Sequence, residues 1–104
     1  MSKATKIRAR FKDGLVEFRM LMLHEMETGR RKDVKTGDII PAWFIKSFEI
    51  FLNSESILIG QLGPTVSKNP YFRCRFRGSV GDNIKVQWKD NLGNSRIDEG
   101  EVVG

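Results

Sequence analysis

From Lys6 onward the chain alternates: Ile7, Ala9 and Phe11 interleave with Lys6, Arg8 and Arg10, and Lys12-Asp13-Gly14 then breaks the pattern. A period of two predicts a half-buried β-strand, because successive side chains point to opposite faces. Val16, Phe18, Met20 and Met22 share one face of a second strand. Phe44, Phe48, Ile50 and Leu52 line a third, closed by Asn53-Ser54-Glu55, and a fourth runs from Ile57 to Leu62 before Gly63-Pro64. In the fifth, Phe72, Cys74 and Phe76 face one way while Arg73, Arg75 and Arg77 face the other. After the turn at Gly78–Asn83, Ile84, Val86 and Trp88 alternate with Lys85, Gln87 and Lys89. The stretch Asp90–Asn94 reads as a hairpin loop, and a last strand spans about Arg96 to Val103. About seven short strands with no amphipathic helix imply an all-β fold, an immunoglobulin-like β-sandwich of antiparallel strands. Residues 1–104 form a single domain, with no repeat or low-complexity tract.

Two segments fall outside this scheme. His24 to Asp38 is polar and contains glycine, which makes it a surface loop, long enough to be a candidate for function. Gly63 to Pro70 holds two prolines and an Asn-Pro step that keep it extended or turned. The strands also carry more apolar residues than a solvated outer face needs. Trp43, Ile45 and Phe51 oppose the Phe44 face, and Leu21 and Leu23 add to the second strand. Such excess calls for a cover, either another segment or another chain, and these five are the candidate partner-binding residues. Burial in the chain's own core is the alternative for each.

Composition narrows the chemistry. No apolar run approaches the roughly 20 residues needed to span a bilayer, and the start Met1–Lys6 leads into Ile7-Arg8-Ala9-Arg10 with no apolar signal region. Taken alone, this favours the cytoplasm unless a partner carries the chain out. The single cysteine, Cys74, excludes an internal disulfide, and its alternation with Phe72 and Phe76 turns the sulfur inward. With one histidine, His24, a blue-copper site is not available. Met20, Met22 and Met26 share its parity, but Met20 and Met22 are better read as core, so no metal or cofactor is expected. No nucleophile–histidine motif or phosphate loop is present, and Asp98-Glu99-Gly100-Glu101 reads as a solvated face, so the chain is expected not to be an enzyme.

The formal net charge of +5 admits an anionic partner. Arg30-Arg31-Lys32 and the row Arg73, Arg75, Arg77 are the basic features. A nucleic-acid-binding β-domain is the alternative reading, but a stacking platform needs aromatics exposed together with cations. Here the aromatics alternate to the opposite face.

Four segments resemble one family. His24-Glu25-Met26-Glu27-Thr28-Gly29-Arg30-Arg31-Lys32-Asp33 is similar to the His-Pro-Met-Glu-Thr-Gly loop of the SoxZ family, the non-carrier subunits of the SoxYZ thiosulfate-oxidation complex. Ile40-Pro41 before an aromatic strand, Gly63-Pro64-Thr65-Val66-Ser67-Lys68-Asn69-Pro70-Tyr71 and Trp88-Lys89-Asp90-Asn91-Leu92-Gly93 fit the same family in the same order. Glu25, where proline is usual, is a departure. The resemblance implies an immunoglobulin-like sandwich that forms a heterodimer with SoxY, whose C-terminal cysteine carries the sulfur intermediate. It implies transient contact with other Sox enzymes and no contact with nucleic acid or membrane. It also implies a periplasmic destination reached by export together with SoxY. Self-association of the isolated chain stays open. This chain ends Glu101-Val102-Val103-Gly104 without a carrier cysteine, and Cys74 lies within a strand.

Overall fold

In the computed structural model, which describes residues 3–104, the alternating segments form seven antiparallel strands. They are β1 (Lys6–Lys12), β2 (Leu15–Leu21), β3 (Ile45–Leu52), β4 (Glu55–Gln61), β5 (Tyr71–Phe76), β6 (Asn83–Asp90) and β7 (Ser95–Glu101). Two of the turns rest on backbone geometry that their residues tolerate. Asp13 and Gly14 have φ of 53° and 82°, and Asn53 and Ser54 have 49° and 71°. Paired left-handed residues make the tight two-residue turn whose twist matches flanking strands.

The strands form a three-stranded sheet in the order β1-β2-β5 and a four-stranded sheet in the order β4-β3-β6-β7. No helix is present among the described residues, so the molecule is an immunoglobulin-like sandwich, as the pattern predicts. The inner faces supply the core: Val16, Phe18 and Met20 from one sheet, Ile50, Ile84, Val86 and Trp88 from the other, all essentially inaccessible to water. Removing each such side chain from water contributes about 1.5–3 kcal/mol. Ring contacts between Phe48 and Phe72 (5.0 Å) and between Phe18 and Phe76 (6.0 Å) add to the packing. Gly60 lies directly opposite Phe48, and a Cβ there would overlap the Phe48 ring.

The third strand departs from the simple pattern. Ile45 pairs with Asp90 and Ser47 with Lys89, so Lys46 is an extra residue at a β-bulge. The insertion reverses the parity of the strand. Ile45, expected on the face opposite Phe48, is instead fully buried in the chain's own core, and it is not available to a partner. Its N–H approaches the Met26 sulfur at 3.3 Å. The last strand also ends sooner than expected. Beyond Glu101, Val102 is buried between the sheets, and Val103 bonds to the edge of β1 through Phe11 N–H and Ala9 C=O. This crossing ties the two sheets together along one side.

Candidate functional site

Three of the segments that resemble a known family, residues 24–33, 63–71 and 88–93, lie far apart in sequence and meet at His24. Its backbone N–H donates to Asn69 Oδ1 at 2.9 Å, and its C=O accepts from Asn69 N–H at 2.9 Å. Its ring sits 4.7 Å from Trp43 and 5.3 Å, edge-on, from Trp88. Met26 N–H donates to Nδ1 at 3.1 Å, which leaves Nε2 to carry the proton of the neutral ring and donate it to Asp90 Oδ2 at 3.3 Å.

Asp90 is the hub. Oδ1 accepts from the backbone N–H groups of Leu92 and Asn94, and Oδ2 from Trp43 Nε1 (2.9 Å), Asn94 Nδ2 and His24. The side chains of His24 and Asp90 are 1% and 0% exposed. Burial alone pushes the Asp90 carboxyl up, but the bonds from Trp43, Asn94 and His24 outweigh it and hold the group below its ordinary value. The carboxylate therefore ties the long loop to the β6–β7 hairpin. Both His24 nitrogens are engaged inside the protein, so the ring has no free atom to act as a base on a substrate.

The long loop is built on this anchor. Met26, with φ of 55°, turns its side chain into the core. Glu27 forms a short antiparallel bridge with Trp43, and Lys32 another with Ile39, so the segment read as open loop is a partly paired ribbon. Thr28 Oγ1 accepts from Arg30 N–H, and Gly29, with φ of 84°, faces Ala42 at close range. Arg31 is not free for a partner: its guanidinium forks onto Glu27 at 2.9–3.2 Å, which raises its pKa further. Glu25 stands exposed beside Lys68 at 3.4 Å, so the departure from proline is accommodated at the surface.

A cleft of about 410 Å³ opens over this cluster, lined by Leu23, Trp43, Trp88 and Asp90 with Lys3 and Lys68 at its rim. Two of the candidate partner residues, Trp43 and Leu23, are thus half-buried here, and Trp43 is fixed by its bond to Asp90. Leu21 lies elsewhere, half-buried on the outer face of the three-stranded sheet between Lys6 and Tyr71. Phe51 lies on the outer face of the four-stranded sheet with Lys85 5.3 Å from its ring centre. The five candidates do not form one surface.

Around Phe51, however, the register gathers residues that the sequence argument passed over. Ile59 pairs with Glu49, which pairs with Gln87, which pairs with Ile97, so both isoleucines share the outer face with Phe51. They are 65% and 55% exposed, and Ile57, at the bulge in the β3–β4 pairing, is 38% exposed. The alternation of Ile57 and Ile59 with Leu58 was the available signal. Cys74 packs with Phe72 and Phe76 against the core as expected, and burial pushes its thiol up, away from a reactive thiolate. Met20 and Met22 are core residues. Among the described residues no helix is long and apolar enough to cross a membrane.

No curated protein matches the chain. A family model does: the one described as sulphur oxidation protein SoxZ matches residues 5–101. That span takes in all seven strands and the three loops that converge on His24, so the anchored loop and the sandwich beneath it are matched as one unit. The chain belongs to the SoxZ family, and its role lies in sulfur oxidation.

Proposed function

We propose that this chain is the non-catalytic subunit of a SoxYZ carrier complex and binds SoxY, which bears the sulfur intermediate on its C-terminal cysteine. The observation that carries the reading is the exposure of Ile57, Ile59 and Ile97 on the four-stranded sheet. Ile59 and Ile97 are exposed on the two edge strands of this face, with Glu49 and Gln87 between them, and half-buried Phe51 lies on the same face. Exposed apolar side chains on one face with charged residues among them are the composition of a protein interface. Glu49, Lys85 and Glu99 supply those charges here. The subunit then acts as a scaffold. It holds SoxY while the enzymes that load, oxidise and hydrolyse the tethered sulfur reach the carrier cysteine. Periplasmic location follows from export with SoxY.

The test is co-expression of the tagged chain with SoxY from the same cells, followed by gel filtration and osmotic-shock fractionation. A 1:1 complex in the periplasmic fraction is expected. Ile59→Asp and Ile97→Asp should each leave the fold intact by circular dichroism and weaken the complex at least about tenfold, as losing an interface anchor does. Unchanged affinity in both variants would move the interface off this face, and failure to recover any SoxY would end the reading.

A further inference from the structure

We propose that the outer face of the three-stranded sheet is a docking surface for a carboxylate-rich protein segment. The alternation of β1, β2 and β5 sends Lys6, Arg8, Arg10, Lys12, Arg19, Arg73 and Arg75 to that face against a single carboxylate, Glu17. The face therefore carries a net +6, more than the +5 of the whole chain, and the remainder of the molecule is slightly acidic. The register concentrates the charge further: Arg8 pairs with Arg19, and Arg19 with Arg73, so three arginines stand abreast on neighbouring strands. Among the described residues none of the seven cations makes an ion pair.

Like charges directly opposite one another on a sheet destabilise it. Charged residues on an edge strand guard against unwanted strand pairing, which accounts for the cations of β5. It does not account for Arg19, because β2 is the central strand of this sheet. An arginine between two others, with no partner inside the chain, is best matched by an acceptor from outside. The guanidinium fork fits carboxylate or phosphate in bidentate fashion. The surroundings favour a protein. Leu15 and Leu21 lie half-buried among the cations, and Tyr71, 57% exposed, flanks them, as in a protein interface. A platform for stacking successive bases is not formed, because Phe72 and Phe76 point inward and Tyr71 is the single exposed aromatic of these three strands among the described residues. A depression of about 250 Å³ between β2 and β5, lined by Glu17, Arg19, Arg73 and Arg75, offers a seat for acidic side chains. This face is on the opposite sheet from the isoleucines assigned to SoxY, and the inference does not depend on that assignment.

The experiment titrates the isotopically labelled full chain with a short peptide of alternating Glu and Ala at about 0.15 M salt, where the Debye length is about 8 Å. A single-stranded DNA oligonucleotide of equal charge is titrated alongside. Saturable amide shifts confined to β1, β2 and β5 are expected with the peptide, and weaker binding with the DNA. Arg19→Glu should cut peptide affinity at least about tenfold, and Lys89→Glu, the same charge change on the other sheet, less than about twofold. Because a carboxylate at position 19 sits between Arg8 and Arg73, Arg19→Glu should also raise the melting temperature by roughly 2–5 °C. Equal losses from both variants would reduce the effect to net charge and overturn the proposal. Tighter binding of DNA to the same face, or no saturable binding, would overturn it as well.

Discussion

Replacing Asp90 by asparagine changes no shape and removes one charge, and it should cost far more stability than an ordinary carboxylate-to-amide change. Asn has one acceptor oxygen where Asp has two. In the best orientation that oxygen keeps the N–H groups of Leu92 (3.0 Å) and Asn94 (2.8 Å). The new NH₂ then faces Trp43 Nε1, Asn94 Nδ2 and His24 Nε2, all of them donors. Hydrogen bonds to a charged acceptor are worth about 1.5–3 kcal/mol each, and these three share one oxygen and do not add. Relief of the carboxylate's desolvation returns part of the loss. The balance is a destabilisation of about 3 kcal/mol, the scale of breaking a buried charged network. For a domain of this size that lowers the melting temperature by roughly 12–24 °C. His24 cannot relieve the clash by moving its proton, because Nδ1 already accepts from Met26 N–H. Urea unfolding followed by tryptophan fluorescence reads the change directly, since the chain's two tryptophans, Trp43 and Trp88, both flank His24. Trp43→Phe, which removes one donor and keeps the ring, should cost about 1 kcal/mol. A loss below about 1 kcal/mol for Asp90→Asn would refute the view that this carboxylate anchors the long loop.

Acid should destabilise the fold through the same group. The carboxyls of Asp90 and Asp98 are both held below their ordinary value. At Asp98, burial raises the pKa, but the bonds from Arg96 and the Thr5 N–H more than offset it. A depressed carboxylate stabilises the fold above its unfolded pKa of about 3.9 and loses that contribution as pH falls through the lower folded value. Urea midpoints should therefore hold steady from neutral pH to about pH 5 and fall below about pH 4, with a shallower fall in Asp90→Asn. Gly60→Ala should destabilise by about 2 kcal/mol because its methyl group meets the Phe48 ring, and adding Phe48→Leu should recover part of that loss in a double-mutant cycle. Ile45→Asp should prevent folding, as measured by circular dichroism, whereas Ile59→Asp leaves the spectrum unchanged; equal effects would contradict the bulge at Lys46.

What the sequence by itself determined is everything with a short period. The alternation of Val16, Phe18 and Met20, or of Ile84, Val86 and Trp88, depends only on neighbours two residues apart, and those residues are buried as that spacing requires. Asp13-Gly14 carries its own backbone preference, and Cys74 follows the parity of Phe72 and Phe76. The loop residues from His24 to Gly29 were legible as a motif, though not their purpose. Tertiary structure decided the rest, because it turns on contacts that no local pattern encodes. One extra residue at Lys46 reverses the parity of a strand, so Ile45 enters the core and Phe51 stays outside. The bond between His24 and Asp90 joins residues 66 apart in sequence, and only packing of the long loop against the β6–β7 hairpin brings them together. The row Arg8, Arg19 and Arg73 needs three strands from distant parts of the chain aligned in one register. Sequence shows that each of those strands has a basic face. Register alone sets their charges side by side, where their repulsion is unrelieved within the chain.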